Sequence, residues 1–316
     1  MITASSNSPI RESGLGPAGL RFRSILAATD CSPASANAVK LAARLAQEFH
    51  ARLYVLHAIA PEMYSASLCG PIPELELMNL DTAHKNLHEY VEHLPDLRSV
   101  KHKELVFLGS AADGIQSAGK ANGIDLLVLG SHGRKGLAKL TLGSVAEWAI
   151  RRLTYPVLVA GPACDRSMLP IQSIMMATDL TEHAQRSARY AASLGQDYNS
   201  KITVMTVLAP FETTQAQVRA EESAKRSLHQ LFPSDCSDRC TLKYEVKLGE
   251  IAPAILQTAQ ENKANLIVLG ARHRPPLSDH RPRTKLAAII RSSRCPVLVV
   301  PAETPDLSSV TERKSL

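Results

Sequence analysis

Two stretches of the 316-residue chain carry residue types suited to handling an anion. Gly130-Ser131-His132-Gly133 is followed after nine residues by Gly143-Ser144. Glycines let a backbone come close to a ligand, and a helix start offers unpaired N–H groups to negative charge. Ile124 to Leu129 before the motif is a short apolar run fit for a strand buried on both faces, and Val145 to Ile150 after it keeps helical spacing. The motif therefore stands at a strand-to-helix turn, as a phosphate cradle requires. Arg134, Lys135 and Lys139 in the intervening loop add positive charge. A carboxylate-bearing turn follows at Asp30, one residue beyond the apolar run Ile25 to Ala28. As an acceptor-only group it suits a pair of ribose hydroxyls.

Each feature also has a plainer reading. Ser144-x-x-Glu147 is a capping box, so Ser144 could serve only its own helix. Asp30 could be a helix-start acid, and His132 a solvated loop residue. His84, His88 and Glu92 recur every fourth residue and form a possible metal-binding face, although histidines and acids at this spacing usually mark a solvated surface and no fourth ligand is evident. No metal site is expected. The spacing of Cys236 and Cys240, with three residues between them, is weak evidence for metal or redox work.

The elements that must position these residues are written twice. Ile25-Leu26-Ala27-Ala28-Thr29-Asp30 returns as Ile174-Met175-Met176-Ala177-Thr178-Asp179, and Pro61 as Pro210, 149 positions on. Later the offset is 140: Gly109 with Gly249, Asp125 with Asn265, Gly130 with Gly270, Arg151 with Arg291, Pro156 with Pro296. The first copy thus holds nine extra residues, placed most simply between Pro61 and Leu77. Each copy alternates apolar runs with helical spacing, the pattern of an α/β fold with a parallel sheet covered by helices. In the first copy strands are expected near 23–29, 52–58, 103–108, 124–129 and 156–160, with helices near 33–49, 75–94, 111–122 and 144–153. A strand order of 3-2-1-4-5 would bring Asp30 and Gly130 to one crevice, at the point where strand order reverses.

Composition narrows the function classes. The hydrophobic fraction of 45% and charged fraction of 21% fit a soluble globular protein long enough for two cores. Aromatics at 4% speak against a base-stacking platform, and a formal charge of +6 without a basic block suits small anions. No nucleic-acid partner and no membrane association are expected, since no apolar run reaches spanning length. Six scattered cysteines fit a reducing cytoplasm. There is no Walker motif, no G-x-G-x-x-G after the first strand and no G-x-S-x-G elbow. The expected division is a disordered leader over 1–19, a first domain over 20–162, a linker over 163–168, a second domain over 169–302 and a tail over 303–316.

The motif from Gly130 to Ser144, followed by Tyr155-Pro156-Val157-Leu158-Val159, resembles the G-x2-G-x9-G-[ST] signature of the universal stress protein family, and the repeat is similar to its tandem members. The resemblance covers about 20–162 and 169–301. It implies two tandem Rossmann-like domains of the adenine nucleotide alpha hydrolase-like type, each a five-stranded parallel sheet, with ATP and Mg2+ at the crevice. By motif match Asp30 would hold ribose and the backbone at Ala58 would meet adenine. Leu129, Gly130, Ser131, His132, Gly133, Arg134, Gly143, Ser144 and Val145 would line ribose and phosphates. It also implies that the copies pair as an intramolecular pseudo-dimer through their last strands, with a further homodimer open. The second copy departs from the signature: His273 stands at the place of Gly133, Arg283 at that of Gly143 and Thr284 at that of Ser144, and Pro275-Pro276 stiffen the loop. It is expected to bind ATP weakly or not at all. Its Arg272, His273, Arg274, His280, Arg281, Arg283 and Lys285 could receive another anion or simply be solvated. The function expected is that of an ATP-binding sensor or stress-response regulator with one competent site and no assigned catalytic residue. A slow ATP hydrolase and a nucleotide-independent scaffold are the alternatives.

Overall fold

The computed structural model describes residues 22–59, 73–131, 142–165, 167–181, 183–232, 236, 239–271 and 284–302, with backbone only at 73–79 and Thr284. The expected leader and tail, most of the extra segment after Pro61, and the two loops that carry His132, Gly133, Arg134 and His273 to Arg283 lie outside the described residues.

The first repeat runs β1 (Ser24–Thr29), α1 (Pro33–Phe49), β2 (Arg52–Ile59), α2 (Pro73–Glu92), β3 (His102–Leu108), α3 (Ala111–Asn122), β4 (Leu126–Gly130), α4 (Ser144–Arg152) and β5 (Val157–Ala160). The second repeats that order: β6 (Ser173–Ala177), α5 (Ala184–Tyr198), β7 (Lys201–Leu208), α6 (Thr214–Gln230), β8 (Thr241–Leu248), α7 (Ile251–Glu261), β9 (Leu266–Ala271), α8 (Thr284–Ser292) and β10 (Val297–Pro301). The strands form one sheet of order β3-β2-β1-β4-β5-β10-β9-β6-β7-β8, so each repeat has the 3-2-1-4-5 arrangement. Pairing within each repeat is parallel. At the seam β5 and β10 run antiparallel, Val157 to Val159 against Val299 to Val297.

The central strands read as unbroken apolar runs because both faces are covered. Ile25, Ala27, Leu126, Val128 and Leu158 point into one core layer with their counterparts Ile174, Met176, Leu266, Val268 and Leu298. Leu26, Leu127, Leu129, Val157 and Val159 point into the other, with Met175, Ile267, Leu269, Val297 and Val299. Both layers therefore continue across the seam. Helix α1 buries Ala38, Val39, Ala42, Ala43, Leu45 and Ala46, the three-and-four spacing of one helical face. Further contacts join the repeats: Phe22 stacks on Tyr190 at 6.1 Å, Tyr198 donates to Glu48 Oε1 at 2.9 Å, and Arg186 Nη2 donates to the carbonyl of Thr154 at 2.9 Å. The stretch between the repeats is tied in as well. The Asp165 amide bonds the carbonyl of Arg294 at 3.1 Å, Asp165 also pairs with the Arg294 guanidinium, and Met168 is buried.

The repeated residues do repeated work. Asp125, ahead of β4, accepts the amides of Arg23 at 2.7 Å and Ser24 at 3.1 Å, fastening the start of β1. Asn265 accepts those of Gln172 at 3.1 Å and Ser173 at 3.0 Å. Only a side-chain oxygen is common to the two, so the charge of Asp125 is dispensable. Asp125→Asn is expected to leave the melting temperature nearly unchanged, while Asp125→Ala costs about 2 kcal/mol in urea unfolding through two orphaned amides. Gly109 and Gly249 close β3 and β8 with φ of +143° and +118°, a region other residues avoid. Their amides bond the carbonyls of Ile59 at 2.9 Å and Leu208 at 3.0 Å.

Candidate functional site

Strand lengths open a notch at the carboxyl edge of the first repeat. The pairing of β1 with β2 ends at Thr29 and His57, and Ala58 and Ile59 run on beside β3 alone. On the other side β1 meets β4 only over Ile25 to Ala27, while Leu129 and Gly130 continue beside β5 alone. The chain leaves β1 toward β2 on one side and reaches β4 on the other, so this notch is the switch point where α/β sheets hold ligands. Asp30, Ala58, Leu129, Gly130 and Ser131 all stand at its rim.

The two ends of the glycine motif meet here. Ser131 is buried; its amide donates to Ala160 and its carbonyl accepts the amide of Gly143 at 2.8 Å. That bond closes the loop between them and sets the start of α4 beside the end of β4. Gly143 is the N-cap, with φ −56° and ψ 144°, and its carbonyl accepts the Glu147 amide at 2.9 Å. The capping-box reading of Ser144 is thereby corrected: Ser144 is the first helical residue, exposed, and Glu147 pairs with Arg151 at 2.6 Å. Because the N-cap is glycine, it supplies no side-chain cap, and among the described residues no side chain is seen to bond the N–H groups of Ser144, Val145 and Ala146 that head the helix. The backbone angles of Gly143 are open to any residue, so its conformation does not itself require glycine.

Asp30 builds the opposite wall. Its Oδ1 accepts from the Ser32 amide at 3.1 Å and from Ser32 Oγ at 2.6 Å, so Ser32, the N-cap of α1, is turned toward the acid and makes no side-chain cap of its own. The helix-start reading of Asp30 is thus partly realised, through the capping residue. Thr29 Oγ1 accepts the amide of Cys31, which sits at φ +59°. The second repeat copies this turn: Asp179 receives Thr181, and Thr178 receives the amide of Leu180, also at φ +59°. The Tyr90 hydroxyl from α2 lies 3.4 Å from Ser35 Oγ, and burial raises its phenol pKa, keeping it neutral.

Sequence reasoning missed His57. Its Nδ1 lies 2.9 Å from the carbonyl of Thr29, and since a carbonyl only accepts, Nδ1 carries the proton. Thr206 does the same for Thr178 at 2.8 Å. A polar residue inside the apolar run Leu53 to Ile59 was the available signal.

On the histidine face of α2, His88 is paired with acids. His88 Nδ1 meets Glu104 on β3 at 3.0 Å and its Nε2 meets Glu92 at 3.4 Å. Among the described residues no group of three or more ligating side chains is placed to hold a metal ion. The hydrogen bond and charge of Glu104, then the charge of Glu92, raise the His88 pKa above 6.5. A raised histidine pKa means that the ion pair contributes in full below the unfolded value and is lost as pH rises through the folded one. By NMR titration His88 should therefore titrate above 6.5, and Glu104→Gln should bring it down.

Fold and notch together define a tandem doubly wound α/β protein with a notch at the switch point of its first repeat. The sequence model of the universal stress protein family matches residues 21–161 and 170–301, and the chain belongs to that family. A universal stress protein A homolog of Coxiella burnetii is 35% identical over 150 residues, 44% of this chain and 96% of the relative. A Bacillus subtilis universal stress protein is 31% identical over 147 residues, 44% of this chain and 98% of the relative. Each relative is thus about the size of one repeat. The crystal structure of a universal stress protein from Archaeoglobus fulgidus superposes with a TM-score of 0.65 over 89% of this chain and 97% of that one, at 19% identity, which shows a shared fold. No helix among the described residues is long and apolar enough to cross a membrane.

Proposed function

We propose that the first repeat binds ATP at the β1/β4 notch and that the protein acts as a nucleotide-responsive member of its family. One observation carries this reading: the amide of Gly143 on the carbonyl of Ser131 starts α4 without a side-chain cap beside the end of β4. An uncapped helix start takes phosphate oxygens on its N–H groups and through its dipole. The residues present fit such a group. Ser144 and Val145 supply amides, Gly130 and Gly143 leave room, and Asp30, across the notch, is the acceptor for ribose hydroxyls. Ala58, at the rim on the β2 side, is the backbone for adenine. His132, Gly133 and Arg134 complete the phosphate side by motif, and Mg2+ would offset the phosphate charge when bound.

In the second repeat Arg283 takes the place of Gly143 in the sequence, so a long side chain stands where the first repeat has none. That repeat serves as the pairing surface. The antiparallel β5–β10 seam supports an intramolecular pseudo-dimer whose halves are 20–162 and 169–302. Thermal melting with and without Mg-ATP tests the reading.

A further inference from the structure

Cys236 and Cys240 lie in the crossover between α6 and β8, far along the sheet from the first repeat's notch. Their sulfurs are 2.7 Å apart, inside the contact distance of two non-bonded sulfurs and only a short step from the 2.03–2.05 Å of a disulfide. Both are buried, Cys236 at 0% exposure and Cys240 at 7%. The Cys240 amide and Sγ both reach the carbonyl of Cys236, at 3.1 and 2.6 Å, so the turn itself holds the sulfurs together. The surroundings are tight. A side chain added at Gly195 of α5 would lie 3.7 Å from Cys240 Cβ and 2.5 Å from Ile202.

Comparison of the repeats argues against mere apolar filling. Val100 and Cys240 each stand two residues before a strand position, His102 and Leu242, paired to the equivalent residues Leu53 and Ile202. In the first repeat buried Leu97 and Val100 fill this turn, the Val100 amide on the Leu97 carbonyl at 3.1 Å. At the position of Cys240 an aliphatic side chain therefore suffices for packing, while the position of Cys236 holds Asp96, paired with Arg44. Only the second repeat brings two sulfurs together.

We propose that Cys236 and Cys240 are a reversible dithiol/disulfide site that takes a hydroperoxide as oxidant and a small dithiol as reductant, independently of the nucleotide reading. Cys240, the more accessible, loses its proton and attacks the peroxide oxygen; the O–O bond breaks, giving a sulfenic acid, and the leaving oxygen takes up that proton and departs as water from hydrogen peroxide or as an alcohol from an organic hydroperoxide. The Cys236 sulfur then attacks the Cys240 sulfur, its proton and the hydroxyl leave as water, and the S–S bond forms. Two electrons pass from the thiols to the peroxide. Oxidation fastens the end of the α6 crossover to the start of β8.

The full-length reduced protein, treated with hydrogen peroxide under native conditions, alkylated and digested, tests this. The expected product is a peptide with Cys236 bonded to Cys240, a melting temperature about 3 °C above the reduced form, and full reversal by dithiothreitol. Cys240→Val, which copies the first repeat, should fold with the reduced protein's circular dichroism and show no oxidative shift. Recovery of both thiols in alkylated form after treatment, a bond mapped to another pair, or an equal shift in Cys240→Val would overturn the proposal.

Discussion

Gly161→Ala is expected to lower the melting temperature by roughly 5 °C or more, corresponding to a loss of about 3 kcal/mol. Gly161 follows β5 at the seam, where α8 of the second repeat passes over it. A Cβ there would lie 1.9 Å from the carbonyl oxygen of Ile290 and 3.1 Å from its carbon. Both are backbone atoms of a helix, so no side-chain rotation relieves the clash. Either α8 lifts from a layer that includes Val157, Val159, Ile290 and Val297, or β5 shifts against β10. Gly123→Ala is the matched control. Nothing lies within 4 Å of its new methyl, and its cost, about 1 kcal/mol, comes only from the φ of +59°. A Gly161→Ala melt no lower than that of Gly123→Ala would show that the seam can yield.

Mg-ATP at a hundredfold excess over its dissociation constant should stabilise the chain by about 2.7 kcal/mol, a rise in melting temperature of about 5 °C. Gly143→Leu should abolish that rise while leaving the melt of the free protein nearly unchanged. The reason is geometric: φ −56° and ψ 144° suit any residue, so the substitution places a side chain over the start of α4 without straining the backbone. Arg283→Gly should keep the rise, since the proposal assigns the nucleotide to the first repeat. An unchanged wild-type melt at millimolar ATP sinks the nucleotide reading, and a rise that survives in Gly143→Leu moves the ligand elsewhere.

Much of this was legible in the residues. The repeat and the elements followed from apolar runs and from paired positions such as Ile25 and Ile174, because a strand buried on both faces must be apolar throughout, whereas the strand order entered only as a condition. The first helix, expected near 33–49, begins at Pro33, a residue that suits the first helical position. Other features needed coordinates. Asp125 and Asn265 paired in the sequence without a reason, which appeared only when both were seen holding the first amides of β1 and β6. Ser144 read as a cap because a capping box is a local pattern. Whether the preceding residue takes the N-cap instead depends on the Ser131 carbonyl, which a distant chain segment brings into place.

By itself, then, the sequence determined the fold class, its duplication and the asymmetry between Gly143 and Arg283, since periodicity and glycine placement are local and survive in one dimension. Only the tertiary structure decided that β1 stops short of its neighbours to open the notch and that α8 lies against Gly161. It alone put the sulfurs of Cys236 and Cys240 at 2.7 Å. Those facts depend on register and close approach between separate segments, which packing sets and spacing along the chain does not encode.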